Sequence, residues 1–452
     1  MPANQKILII GGNAAGPGAA AKAKRVAPDA EVIMFEAGEF ISTGTCELPY
    51  VLSGEIDDYK KIVFFDSDSF YKEKKVKVYT KHIVEYIDRR QKKISVKNLN
   101  NGSKSEFPYD KLVLATGSKA VTIPDLPPNL QNVFYLKTVS DLIKIQSYIK
   151  SKPVEKILIV GAGYIGLETA DALVRMGKKV AILDKAKLPM PNAELEISHL
   201  ILETLKGHKV DFYGGVDKVK YNITGEEVKS VSFNGMLMEF DLVLGAIGFK
   251  PNNSLAVSAM LNTGKSGGII VDKKLRTSDP DIFAAGDNIE VINKITGKHE
   301  YLPLATIAHE YGHIAGANAA GANEFAGQVI KNIAVKIFDY SLVNVGLTLE
   351  ESTRYGIKAE SVYSVIPNLI KVMPESRNDF GKIVYNKTTG ELLGASFYGS
   401  SEAVGLGNVV SVMIHSKIKA AELAEFNYNY TPPLSPFVNI LSVLGRKIKS
   451  EH

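Results

Sequence analysis

Cys46 is the one cysteine in 452 residues. A lone thiol cannot close an internal disulfide, cannot form a dithiol redox pair within its chain and cannot build a multi-thiolate zinc site. It lies in Ser42-Thr-Gly-Thr-Cys-Glu-Leu-Pro-Tyr50, where small residues lead toward Pro49 in the manner of a helix start. A thiolate at a helix N-terminus is held by the end dipole and has a lowered pKa, with Glu47 opposing. The competing role is that of a small buried hydrophobe, the usual fate of an isolated cysteine. The context favours the reactive thiol.

Two glycine-rich turns offer a second chemistry. Gly11-Gly12-Asn13-Ala14-Ala15-Gly16 follows the apolar run Lys6–Ile10, and Gly161-Ala162-Gly163-Tyr164-Ile165-Gly166 follows Lys156–Val160. Such turns bind a pyrophosphate: glycine permits the bend, small residues let the ligand approach, and the helix that follows presents free N–H groups. The second copy satisfies G-x-G-x-x-G, whereas the first carries Asn13 at the middle glycine position. Each is followed by a helix and a second apolar strand ending on an acid, Glu36 or Asp184, where a carboxylate receives ribose hydroxyls. Asp184 would repel a ribose 2′-phosphate and so favours NADH, while Lys185 and Lys187 beside it could pair with one.

A third pattern, His309-Glu310-Tyr311-Gly312-His313, formally reads H-E-x-x-H. A glycine inside the helix, the want of a third ligand nearby and the two nucleotide turns argue instead for a helix beside a cofactor, with no metal.

The elements that must position these residues form two strand–turn–helix–strand units beginning 150 residues apart. The region between them reads as short strands and turns closing on Leu112–Ser118, and a similar closing segment, Leu242–Gly248, follows the second unit. A further strand ends at Ile282-Phe-Ala-Ala-Gly-Asp287, and helical patterning spans 304–320. From Gln328 onward, short strands, a helix near 404–415 and a tail rich in Tyr and Pro indicate a separate α+β domain, with only the last few residues expected to be disordered. The charge balance is 54 Lys+Arg against 49 Asp+Glu, or +5, which does not call for nucleic acid. A basic run over 71–93 is either a solvated edge or a surface for a phosphorylated ligand. No apolar run is long enough for a membrane helix, and few cysteines with no signal-like start fit a cytoplasmic setting.

Both turns, Ala115-Thr116-Gly117, the segment ending on Asp287 and the C-terminal domain together resemble the pyridine nucleotide–disulfide oxidoreductase family over essentially the whole chain. The single cysteine with Leu-Pro-Tyr50 behind it and the tail Tyr430-Thr-Pro-Pro433 look like the coenzyme A disulfide reductase branch. NADH oxidases and peroxidases are close relatives that usually carry a histidine where Ala14 stands. The resemblance implies an α/β fold of the glutathione-reductase type: an FAD domain (1–120 and 270–325), an NAD(P)H domain (121–269) and a dimerisation domain (326–452). It implies that Gly11 to Gly16, Glu36, Val84, Ala115 to Gly117 and Asp287 hold FAD, and that Gly161, Gly163, Ile165, Gly166, Asp184 and Gly248 serve the nicotinamide nucleotide. Tyr164 would gate the flavin and Glu168 would face it. Coenzyme A would touch Gly18, Lys22, Arg25, Ser42, Thr45, Lys74 and His309, and Tyr430 of a homodimer partner would protonate the leaving thiolate. The activity implied is NAD(P)H-driven reduction of a coenzyme A disulfide or persulfide; an oxygen-reducing NADH oxidase and a non-catalytic flavoprotein sensor are the alternatives.

Overall fold

The structure is a computed structural model that describes residues 5–450. Strands Lys6–Ile10 and Glu31–Phe35 each bury four of five side chains, as expected of parallel strands covered on both faces. They pair in parallel, Ile7 against Val32 and Ile9 against Met34. The full sheet runs Ile282–Ala284, Lys111–Leu114, Lys6–Ile10, Glu31–Phe35, Lys77–Tyr79. The second unit repeats the plan in the order Val133–Tyr135, Leu242–Gly245, Lys156–Val160, Lys179–Leu183, Asp211–Tyr213. Its outer strand comes from residues before the unit, whereas the first sheet borrows 282–284 from far downstream.

Helices Ala15–Val26 and Ala305–Ala319 lie against each other on the first sheet. Their approach depends on Gly312 and Gly316, where a Cβ would strike the Ala15 and Ala19 carbonyl oxygens. Gly312 is therefore a packing residue within the H-E-x-x-H pattern.

The C-terminal sheet is antiparallel, in the order Asn332–Ile337, Tyr340–Gly346, Leu392–Gly399, Asn378–Asn386, Ala359–Pro367. Its two faces alternate along each strand. Val343, Val345 and Phe397 pack under helices Ala403–His415 and Ile440–Ser450. Leu342, Phe380 and Tyr398 join the core of the second nucleotide unit. That junction also buries Lys382 between Glu194 (2.8 Å) and Glu196 (2.9 Å).

The region between the turns is not made of short strands and turns alone, and beyond the second unit the chain returns to the first core. Ala256, Ala259, Leu261 and Ile269 pack in the first core, after strand Phe249–Pro251 pairs with Ser118–Ala120. The region between the turns holds a 13-residue helix, Val139–Ser151, started by a capping box between Thr138 and Asp141. Five cations of the basic run have acidic partners: Arg89 meets Asp279, Lys92 meets Asp281, Lys93 meets Glu106, Lys81 meets Glu39 and Lys74 meets Glu73. Helix Ile440–Ser450 continues through Lys449 and Ser450, and the last two residues lie outside the described residues.

Candidate active site

The two turns are built alike because both need the same close backbone approach. Gly11 (φ +115°) lies over the Ala115 carbonyl and Gly161 (φ +111°) over the Ala246 carbonyl, where any Cβ would collide. Gly16 and Gly166 face the carbonyl oxygens of Gly11 and Gly161 in the same way. Gly163 has open space where a Cβ would stand, leaving room for a ligand. The carboxylates match too: Glu36 accepts from the amides of Gly12 and Gly38, both at 2.6 Å, and Asp184 from those of Ala162 (2.6 Å) and Ala186 (2.7 Å).

Asn13 departs from the glycine pattern for a visible reason. Its Oδ1 accepts from the Thr43 amide at 3.0 Å and the Thr43 hydroxyl at 3.2 Å. The first turn is thereby tied to strand Ile41–Thr43, which leads to Cys46. On the other side, Leu48, Val51 and Leu52 of helix Leu48–Ser53 sink into the core of the second unit. The cysteine is held between the two nucleotide units, anchored to both.

A cavity of about 580 Å³, within the size range of cofactor sites, opens at that junction. Gly11 to Ala15, Glu36, Ala115 to Gly117 and Asp287 line it together with Thr45, Cys46, Ile165 and Glu168. Asp287 accepts from the Ser118 hydroxyl at 2.9 Å and lies 3.4 Å from Lys137 Nζ. Lys137 also stands over the Phe249 ring, 4.3 Å from its centroid. Neither Lys137 nor Phe249 was singled out in the sequence; the available signal was a lysine directly before the helix cap Thr138.

The thiol is corrected. Cys46 sits ahead of the cap residue Glu47 and not within the first turn of the helix. It is exposed to the cavity, yet surrounding protein raises its pKa, first by desolvation and then through Glu47, Glu168 and Asp287, with Lys137 alone pulling it down. Burial also pushes Glu168 up to about 7, against a hydrogen bond from the Tyr50 hydroxyl (3.4 Å) that favours its ionised form.

The remaining candidates fall into groups. Gly18, Lys22, Arg25 and His309 gather on the helix pair with His313, whose ring occupies the space a Cβ at Gly18 would need. His313 is stacked at a tilt on His309 (4.4 Å) and has a lowered pKa from burial, His309, Arg25 and Lys22. Lys22 pairs with Glu324 at 3.0 Å. Ser42 adopts φ +49° and keeps a buried hydroxyl without a partner. Lys74 stands 5.5 Å from the ring of Phe65, whose strand pairs with Ile41–Thr43.

Gly161, Gly163, Gly166 and Asp184 do not line this cavity, and neither do Val84, Gly248, Tyr164 and Tyr430. Val84 is a core side chain on strand His82–Asp88. Gly248 (φ +110°) receives the Val121 amide on its carbonyl, one residue before Phe249. Tyr164 turns its hydroxyl to the Asn344 amide (3.1 Å) in the C-terminal sheet. Tyr430 is 43 % exposed, edge-on to Phe437, and does not reach Cys46 within its own chain.

Residues 5–312 match the family described as pyridine nucleotide-disulphide oxidoreductase, and 332–439 match its dimerisation domain. The chain belongs to this family. It is an FAD- and NAD(P)H-dependent oxidoreductase with a single cysteine. It is 31 % identical over 449 residues, 98 % of this chain and 99 % of the other, to the NAD(P)H sulfur oxidoreductase (CoA-dependent) of Pyrococcus furiosus. An NADH oxidase of Methanocaldococcus jannaschii is 30 % identical over 433 residues, 95 % of each chain. Among solved structures, reduced Bacillus anthracis CoADR-RHD superposes with a TM-score of 0.94 at 27 % identity, over 99 % of this chain and 80 % of the other. The glycine cradle, the free space at Gly163 and the cavity fit the family's two dinucleotides. Among the described residues no helix is long and apolar enough to cross a membrane.

Proposed function

We propose that this oxidoreductase reduces a coenzyme A disulfide, persulfide or polysulfide with NAD(P)H, using Cys46 as its one redox thiol. The reading is carried by a single observation: the first nucleotide turn, Asp287, Glu168 and Cys46 line one cavity. FAD, when bound, supplies the relay between a hydride donor and a sulfur acceptor. Gly11 to Gly16, Glu36, Ala115 to Gly117 and Asp287 would hold it, and Gly161 to Gly166 with Asp184 would hold the nicotinamide nucleotide.

The thiolate of Cys46 attacks one substrate sulfur, a bond forms between them, and one coenzyme A thiolate leaves. The mixed disulfide then takes two electrons from NAD(P)H, which frees the second thiolate and restores Cys46. Over the cycle one disulfide, one NAD(P)H and one proton give two thiols and NAD(P)⁺. Cys46 has no second thiol in the chain, so its disulfide partner must be the substrate. Lys137 is the cation that lowers the Cys46 pKa and so favours the attacking form.

The cations Lys22 and Arg25, beside His309, suit the phosphates of coenzyme A, and the unpartnered Ser42 hydroxyl suits the arm that reaches Cys46. The dimerisation domain, with Leu434 and Phe437 exposed beside Tyr430, fits a homodimer in which the partner's Tyr430 protonates the departing thiolate. An accessible lone thiol suits the reducing cytoplasm.

Mass spectrometry of the purified protein should reveal a coenzyme A adduct released by thiol, and Cys46→Ser should abolish disulfide reduction. Intact disulfide reduction in Cys46→Ser overturns the reading. The similarity to an NADH oxidase supports a second reading, in which NADH and a proton reduce oxygen to hydrogen peroxide, the peroxide oxidises Cys46 to the sulfenic acid with release of water, and a second NADH with a proton returns it to thiol and water. Oxygen consumption faster than disulfide turnover would favour it.

A further inference from the structure

Glu168 borders two spaces. On one side it lines the reaction cavity with Cys46 and Ile165. On the other it lines a pocket of about 10 Å³ with Tyr50, Glu55, Asp171 and Lys336. Pro49 lines both, so the start of helix Leu48–Ser53 is the partition between them. The smaller space is about what one water molecule needs, and polar groups surround it.

The groups around the smaller pocket form two linked sets that face each other across it. The Tyr50 hydroxyl donates to Glu168 Oε1 at 3.4 Å. Asp171, one helical turn beyond Glu168, is buried and accepts from Arg175 at 2.7 Å and from the Phe338 amide at 3.2 Å. Glu55 lies 3.8 Å from Arg175 and 3.7 Å from Lys336. Glu55 and Lys336 are each 42 % exposed, so their side of the pocket meets solvent. Three elements meet at this pocket: helix Leu48–Ser53, helix Tyr164–Arg175 and strand Asn332–Ile337.

Reduction of a disulfide by NAD(P)H consumes one proton per turnover. When nucleotide and substrate fill the cavity, its open mouth no longer offers bulk water to the reacting sulfur. We propose that Tyr50 and Glu168 conduct this proton from the Glu55–Lys336 surface pocket to the reaction cavity. In each turnover Glu168 gives a proton to the second thiolate, the one freed from Cys46, and recovers one through the Tyr50 hydroxyl, which passes its own proton inward and takes another from the pocket side. No electrons move in this step, and the net change is one proton from solvent to product thiol.

The electrostatics suit the task. Glu168 is faced by Tyr50 from the neighbouring helix, by Asp171 on its own helix and by Cys46 across the cavity, and Tyr50 is faced in addition by Glu55. Burial brings Glu168 to about 7, where a carboxyl exchanges protons near neutral pH. The inference rests on the proposed reaction at Cys46.

Tyr50→Phe removes the hydroxyl and keeps the ring. The variant should lose about tenfold or more in kcat for disulfide reduction with KM little changed, and its solvent deuterium isotope effect should rise. A second readout needs no turnover: the rate of Cys46 alkylation by iodoacetamide against pH. Ionised Glu168 raises the Cys46 pKa, so the wild-type profile should carry an inflection near pH 7 that Glu168→Gln erases. Because the Tyr50 hydrogen bond favours ionised Glu168, Tyr50→Phe should move that inflection to higher pH. If Tyr50→Phe, folded and flavin-loaded, changes neither kcat, isotope effect nor inflection, the route does not exist. Disulfide reduction surviving in Cys46→Ser would instead overturn the underlying reaction, which separates the two failures.

Discussion

Replacing Asn13 by alanine tests whether the first nucleotide turn holds the redox cysteine. Asn13 Oδ1 takes two hydrogen bonds from Thr43, at 3.0 Å from the amide and 3.2 Å from the hydroxyl. Alanine removes the acceptor without adding bulk. Each such bond contributes about 1 kcal/mol net, so the strand leading to Cys46 should lose about 2 kcal/mol of local stability. At about 1.4 kcal/mol per factor of ten, local opening should become roughly 30-fold more frequent. The Ser42 amide still donates to the Gly12 carbonyl at 2.8 Å, so the strand loosens without leaving the turn. Amide hydrogen exchange followed on a peptide covering 41–47 reads this directly, with the flavin absorbance confirming that FAD remains bound. Protection should fall in that peptide and stay unchanged in strand Lys6–Ile10. A change below about threefold in 41–47 would show that the core contacts of Leu48, Val51 and Leu52 hold the cysteine by themselves, and would refute the role given to Asn13.

Two further outcomes follow from the same geometry. Glu47→Gln removes an anion that raises the Cys46 pKa, so the alkylation midpoint should move to lower pH, whereas Lys137→Met removes the one lowering charge and should move it higher; equal midpoints in both variants would refute these assignments. Gly316→Ala places a methyl against the Ala19 carbonyl, so it should force apart helices Ala15–Val26 and Ala305–Ala319, cost about 1–3 kcal/mol or more and weaken FAD retention, as thermal unfolding and flavin release would register.

Much of the fold could be read from the chain because it depends on local rules. Apolar runs five residues long, glycines at fixed offsets and an acid closing the next strand mark each nucleotide unit, and both sheets form as expected. The glycine pattern is legible since its cause is steric: a side chain at Gly11, Gly16, Gly161 or Gly166 would meet a backbone oxygen. The return of the chain to the first core near residue 254 was not legible, because it depends on which buried face Ala256 and Leu261 find and not on any turn signal.

The sequence by itself determined that one thiol exists, that any disulfide at Cys46 must have an external partner, and that two dinucleotide turns accompany it. Only the tertiary structure decided how reactive that thiol is. A helix start suggested a depressed pKa, but Cys46 stops short of the helix, and desolvation with three carboxylates outweighs the single cation, Lys137. Those groups lie 1, 91, 122 and 241 positions away from Cys46, at Glu47, Lys137, Glu168 and Asp287. A pKa is a sum over neighbours in space, and distances along a chain do not reveal which neighbours the fold will supply.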